Sequence, residues 1–293
     1  MNIPNKALKS GFKLPVYGLG TWEMGGRMER DDSNDEADLA AIKAAIDHGI
    51  THIDTAESYG AGHAEELVGQ AIKGYDRSNL IIATKVSGSH QSYSDLMKSF
   101  EASLKRLDTS YVNLYLLHRY PDPGTDIKQT MKALDELMQQ GVVKNIGVCN
   151  MTINRFEHAQ RQTENKLVYN QLHYSLDVRE AEAGGLVKYC QDNDILLSAW
   201  GPVSKGTLDA PILDEIAEKY SKTKYQVAIN WLIAQPNVIT IPKTTDVKHL
   251  EENLGALGWE LSSEDMAKLT KDFPNQKLVS NRVPLDYPGD IEP

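Results

Sequence analysis

Gly18-Leu19-Gly20-Thr21-Trp22-Glu23 follows the first β-prone run of the chain, residues 16–19, and begins like a glycine-rich dinucleotide turn without finishing as one. A doubly wound nucleotide-binding sheet needs a third glycine where Glu23 stands, so that helix and strand can pack closely. Trp22 is also too bulky to let a pyrophosphate approach the backbone. The stretch speaks against an open nucleotide-binding sheet. Outward from it, β-prone runs recur at residues 51–53, 80–84, 113–117, 145–148, 167–170, 196–200 and 238–241, making eight with the first. Amphipathic helical stretches separate them.

The helical stretches show the expected period. Leu39, Ile42 and Ile46 fall on one face, with Gly49 past the end as a C-cap. Leu96, Phe100, Leu104 and Leu107 repeat at three- and four-residue spacing, and Ser92 with Asp95 reads as a capping box at their start. Ile127, Met131, Leu134 and Met138 form another stripe closed by Gly141, and Ser262 with Asp265 opens a last helix through Met266 and Leu269. Eight strand–helix repeats without a Rossmann turn predict an α/β chain folded as a closed (β/α)8 TIM barrel. Residues 7–9 and 12–14 flank Ser10-Gly11, predicting a hairpin with a two-residue turn that plugs the N-terminal end of the barrel. Residues 274–293 are proline-rich without helical period and read as an extended C-terminal tail over the surface. No linker, charge block or low-complexity run divides the chain, so residues 1–293 are expected to form a single domain.

Composition narrows the partners. The net charge of −10 repels nucleic-acid phosphates and anionic lipid heads, although a local basic pocket remains compatible with an anionic small molecule. No stretch approaches 18 apolar residues and the N-terminus has no apolar leader, so a cytoplasmic protein is expected by default. Cys149 and Cys190 have no metal-ligand spacing. Two free thiols are the simpler reading, with a single disulfide as the alternative. No resident metal is expected.

In such a barrel, catalytic groups project from the C-terminal ends of the strands. Asp54, Lys85 and His118 end three successive β-prone runs, 31 and 33 residues apart, about one strand–helix unit each. They should converge at one mouth, with Tyr59 reaching it from the loop after Asp54. The set suits carbonyl reduction. A phenol with an ordinary pKa of about 10 is a weak acid, and an adjacent ammonium is expected to lower that value. Asp54 would hold the ammonium charged, and His118 would align the carbonyl oxygen or share its proton. Alone, each residue has a bland explanation: a cap, a solvated lysine, one tyrosine among 13, a satisfied histidine.

The segment Gly49-Ile50-Thr51-His52-Ile53-Asp54-Thr55-Ala56-Glu57-Ser58-Tyr59-Gly60 resembles the D-T-A-x-x-Y signature of aldo-keto reductases, and Lys85 and His118 match that family's other two catalytic positions. The resemblance implies Tyr59 as general acid supported by Lys85 and Asp54, His118 orienting the substrate, and cofactor binding before substrate. It extends over almost the whole chain. Gly20, Thr21 and Trp22 correspond to a first-strand motif bordering nicotinamide and substrate; Cys149, Asn150 and Gln171 correspond to carboxamide-binding positions. Trp200-Gly201-Pro202-Val203 is similar to an aromatic-S-P-L segment whose ring stacks on nicotinamide, and Lys243-Thr244 with His249, Glu252 and Asn253 resembles the adenosine-phosphate motif. Substrate contacts are implied for Trp22, Tyr59 and His118.

Three departures bear on the cofactor. Cys149 replaces a serine and weakens one hydrogen bond, Trp200 replaces a commoner tyrosine, and His249 stands where many members have a bidentate arginine. Lys243 favours NADPH, with NADH as the alternative. The resemblance implies a monomer, with a homo-oligomer as the alternative, acting on a small-molecule carbonyl. Two rivals are a nucleotide-binding auxiliary subunit with little turnover and a hydrolase using Asp54 and Glu57 as paired carboxylates. Short loops after His118 and Trp200 suggest an open mouth for small aldehydes, ketoacid esters or sugar-type carbonyls. Met24 and Met28 either shape that mouth or sit on a mobile loop near Gly25-Gly26. Tyr120 opens a loop edging the pocket, Trp231 packs a helix on the barrel, and the cluster Glu57, Glu65 and Glu66 reads as a solvated rim and helix start.

Overall fold

All eight β-prone runs form strands, and they lie in one parallel sheet in sequence order. A computed structural model describes residues 2–203, 206 and 208–285. A hairpin comes first, β1 (Asn5–Ala7) and β2 (Lys13–Pro15). The sheet follows as β3 (Leu19–Gly20), β4 (His52–Asp54), β5 (Ile81–Val86), β6 (Leu114–Leu117), β7 (Ile146–Cys149), β8 (Leu167–His173), β9 (Leu196–Trp200) and β10 (Val238–Thr240). The ends of the sheet meet. Tyr17 bridges Thr240 in parallel, Gly18 N donates to Thr240 O at 2.9 Å and Thr240 N to Val16 O at 3.0 Å, so the sheet closes into the expected (β/α)8 barrel.

The outward residues of the strands pack under the helices. Ile42, Leu96, Phe100, Leu107, Met131, Leu134 and Leu269 are buried with Ile53, Ile82 and Tyr115 in one continuous apolar cluster, which contains every stripe read from the sequence. Caps act where expected. Ser92 Oγ accepts from Asp95 N, though the Asp95 carboxylate takes the Ser92 hydroxyl proton rather than closing the box on the backbone. Ser262 caps the helix Ser263–Asp272. Trp231 is fully buried in the same cluster, with Nε1 on Thr270 Oγ1 at 3.1 Å.

The hairpin does close the barrel's N-terminal end. Leu8 and Leu14 pack with Ala83, Leu114, Leu196 and Ile239, while Lys9 N donates to Asp194 just before β9. Its turn differs from expectation. Leu8 N bonds Phe12 O and Gly11 N bonds Leu8 O, giving a three-residue loop, Lys9 to Gly11. Gly11 at φ 89° supplies the left-handed residue that such a loop needs before the next strand.

The C-terminal segment runs over the surface as expected, with Leu278 and Val279 exposed, and is tied down at two points. Ser280 and Leu285 are buried, and both backbone N–H groups donate to the Glu180 carboxylate. The part of the expected tail beyond residue 285 lies outside the described residues. Cys149 and Cys190 are both free and buried, without a disulfide. Among the described residues, no helix is long and apolar enough to cross a membrane.

Candidate active site

The strand ends bring Asp54, Lys85 and His118 together because neighbouring parallel strands keep register: Asp54 lies beside Ala83 and Lys85 beside Leu116. Lys85 is fully buried and Asp54 nearly so. The ammonium has three donors and no acceptor capacity. They reach Asp54 Oδ1 at 2.5 Å, Thr55 O at 2.8 Å and the Tyr59 hydroxyl oxygen at 3.1 Å. Tyr59 therefore accepts from Lys85, and its own O–H remains to be donated elsewhere. Asp54 Oδ2 accepts from Gln171 Nε2 at 2.9 Å, and its backbone oxygen from Thr21 N and Oγ1, each at 3.0 Å.

Tyr59 is held by a tight turn. Gly60 and Ala61 both adopt left-handed backbone, and Gly60 N donates to Arg27 O at 2.7 Å. A side chain at Gly60 would stand 2.2 Å from Gly25 O, so only glycine lets the loop after β3 lie on this turn. Trp22 meets the Tyr59 ring edge-on at 5.0 Å and His118 meets it at 5.5 Å.

Burial raises the Tyr59 pKa to about 12, against the opposing pull of the Lys85 charge. The net lowering expected from the sequence is thus reversed, because desolvating a phenolate outweighs one neighbouring cation already paired with Asp54. Burial would lower the Lys85 value, but Asp54 and Tyr59 outweigh it and hold the group above its ordinary range, protonated. His118, with Nδ1 3.3 Å from Ser58 Oγ, is pushed down to about 3 by burial, then by Lys85 and Arg119. The neutral-pH site therefore contains a protonated phenol, an ammonium and a neutral imidazole.

Several further residues border this centre. Trp200 Nε1 donates to Asn150 Oδ1 at 3.2 Å, and Asn150 Nδ2 to His118 O at 3.4 Å. Burial holds the Cys149 thiol well above its usual range, although Lys85 opposes this. Lys243, Thr244, His249, Glu252 and Asn253 stand apart, on the segment after β10 and its helix Val247–Leu254. Gly20 N reaches that segment at Pro242 O, 3.1 Å away. Lys243 and His249 are exposed, Thr244 Oγ1 is spent on the Asp246 backbone, and Asn253 is buried beside the Tyr17 phenol. Gly201, Pro202 and Val203 follow Trp200, while Ser204, Lys205 and Thr207 of that loop lie outside the described residues.

Some readings change. Glu57 is not a solvated rim residue: its carboxylate is almost fully covered and accepts from Ser87 N at 2.7 Å, with His90 Nδ1 3.0 Å away. It pins the loop after β5, so Asp54 and Glu57 do not form a hydrolytic pair. Glu65 is fully buried against Arg106 and Thr84. Met24 is fully buried rather than part of a mobile loop, whereas Met28 is exposed. Tyr120 is buried, its hydroxyl 2.6 Å from His158 Nδ1. The sequence reading also missed His173, which stacks on Trp200 at 4.0 Å and 8°. Its signal was available: His173 lies two residues after Gln171 in the same strand, hence on the same face.

His63 ties the β3 loop to this turn. Its Nε2 lies 2.8 Å from Asp35 and 3.0 Å from Asp32, and Nδ1 lies 2.9 Å from Glu66, while Arg30 pairs with Asp32 and Glu66. A neutral imidazole has one N–H, so both contacts donate only from the imidazolium. Burial works against that charge, but Glu66 and Asp35 outweigh it and raise the pKa. The resulting stabilisation is complete below the unfolded value of about 6.5 and is lost as pH rises through the folded value. His63→Gln should thus flatten the fall in Tm as pH rises above about 6.5. A variant with the same slope as wild type would refute the pairing.

The model of the Aldo/keto reductase family matches residues 17–271. The chain belongs to the aldo/keto reductase family. It is an oxidoreductase. It is 36% identical over 278 residues to the glyoxal reductase of Bacillus subtilis, covering 94% of each chain. Its fold superposes on a thermostable aldo-keto reductase, Tm1743, crystallised with the inhibitor epalrestat, with a TM-score of 0.89, 42% identity, and coverage of 92% of this chain and 99% of that one. An aldo-keto reductase from Klebsiella pneumoniae in complex with NADPH gives a TM-score of 0.84, 31% identity, and coverage of 95% and 98%.

Proposed function

We propose that this aldo-keto reductase reduces small activated aldehydes, α-dicarbonyls of the glyoxal type foremost, with NADPH as reductant. The observation that carries the reading is the Lys85 ammonium shared between Asp54 and the Tyr59 oxygen at 2.5 and 3.1 Å. The residues present fit a nicotinamide dinucleotide: an indole with a fixed edge at Trp200, amides at Asn150 and Gln171 beside the catalytic group, and the exposed cation Lys243 further out.

Bound NADPH supplies hydride to the carbonyl carbon. Tyr59 donates its proton to the carbonyl oxygen, the one direction its O–H has left. Lys85 stabilises the phenolate so formed, and Asp54 keeps the ammonium in place and charged. Neutral His118 hydrogen-bonds the substrate oxygen, and Trp22 packs edge-on against the Tyr59 ring. Such preorganised donors act on developing charge at little reorganisation cost. Every group of this site comes from one chain, so a monomer suffices, acting as one domain. Two buried free thiols suit a reducing cytoplasm.

The test is loss of reduced-nicotinamide absorbance on adding glyoxal, methylglyoxal and larger ketones. Turnover confined to bulky ketones would sink the substrate assignment, and nucleotide binding without turnover would leave a binding module. Cofactor choice has its own test. His249 is exposed, its Nδ1 3.9 Å from Asp246 Oδ2. His249→Arg should raise the NADPH-over-NADH preference about tenfold through bidentate contact with the 2′-phosphate. An unchanged ratio would place that phosphate away from position 249.

A further inference from the structure

The indole of Trp200 is fixed from two directions. One edge donates to Asn150, and one face lies flat on the His173 imidazole, centroids 4.0 Å apart and planes 8° from parallel. His173 is 4% exposed. Its Nδ1 lies 2.7 Å from Ser280 Oγ. That oxygen already accepts from Arg282 N at 3.2 Å and Val283 N at 3.1 Å. With both lone pairs engaged, the Ser280 hydroxyl donates its hydrogen to Nδ1. His173 is therefore neutral with its proton on Nε2. Burial first, then the Arg282 charge, lowers its pKa to about 4, which keeps it so.

Ser280 is itself immobilised. Its N–H donates to Glu180 Oε2 at 2.7 Å, and Leu285 N takes the other oxygen at 3.0 Å. Lys277 exchanges backbone hydrogen bonds with Asp177 and Arg179 beyond β8. On the far edge of the imidazole, a Cβ on Gly201, itself at φ 69°, would lie a tight 3.1 Å from Nε2, so a side chain at 201 would crowd the ring. A chain of contacts thus runs from residues 277–285 through His173 to the face of Trp200.

We propose that His173 is a positioning residue for the cofactor: clamped by Ser280, it fixes the plane of Trp200 so that the opposite face of the indole is preformed for the nicotinamide ring. This rests on the reading of Trp200 as the nicotinamide platform. An aromatic side chain already held in its bound orientation loses less freedom on binding, so its contribution goes to dinucleotide affinity.

The experiment measures NADPH Kd by fluorescence titration, kcat and the KM for NADPH with a small aldehyde at saturation, and Tm, on wild type, His173→Leu, His173→Phe and Ser280→Ala. His173→Leu should raise NADPH Kd and KM about tenfold with kcat within about twofold. His173→Phe keeps a flat ring and should restore Kd to within about threefold of wild type. Ser280→Ala should raise Kd about threefold, and it carries the test if His173→Leu does not fold. A folded His173→Leu binding NADPH as tightly as wild type, a Phe variant as weak as the Leu variant, or an unchanged Ser280→Ala would each overturn this inference alone. Wild type that binds no dinucleotide would overturn both it and the reading of the site.

Discussion

Tyr59→Phe is expected to lower kcat for aldehyde reduction by about 100- to 10,000-fold, the range over which a positioned general acid acts. NADPH Kd should stay within about twofold, because the ring and its edge contacts with Trp22 and His118 remain. The size of the effect follows from hydrogen-bond counting. Lys85 spends all three donors on Asp54, Thr55 and Tyr59, so it has none left for the substrate, and the phenolic O–H is the proton next to the mouth. Burial lifts the phenol to about 12, so it is protonated through the neutral range and needs no pH adjustment to act as an acid. Single-turnover and steady-state rates with saturating NADPH measure this. Retention of more than about a tenth of wild-type kcat would remove Tyr59 from the acid role.

Lys85→Met should damage both rate and stability. The rate effect, about 100- to 1,000-fold in kcat, reflects loss of the charge that stabilises the phenolate. The stability effect comes from Asp54, which is 1% exposed and, among the described residues, would keep only Gln171 as a side-chain partner. Removing one partner of a buried ion pair costs about 3–5 kcal/mol. At roughly 2–4 °C per kcal/mol, Tm should fall on the order of 10 °C. Adding Asp54→Asn removes the stranded charge, so the double variant should recover much of the Tm and none of the activity. Recovery of activity, or a single variant as stable as wild type, would show that the pair is not the anchor of this site.

The meeting of these side chains at one end of the barrel was legible because they close strands, and strand ends recur at the length of one repeat. Asp54, Lys85 and His118 each close a β-prone run, so spacing alone predicted their convergence. The apolar stripes were legible for the same reason: a helix of period 3.6 must bury the face that Leu96, Phe100 and Leu107 share. Charge was the weaker guide. Glu65 read as a solvated helix-start residue, yet it is fully buried on Arg106, 41 residues away. Glu57 read the same way and instead holds the loop after β5. Local sequence carries no record of a partner that distant.

By itself, then, the sequence determined the barrel, its strand order, the plug at its base and the residue types at its mouth, because these follow from local periodicity and from short-range connection rules. Tertiary structure alone decided which groups are protonated and which are fixed. The phenol of Tyr59 moves up rather than down because of how deeply it is buried. His173 becomes a neutral clamp because Ser280, 107 residues later, donates to it. Both outcomes depend on desolvation and on donors brought from far along the chain, quantities that exist only once the chain has closed on itself.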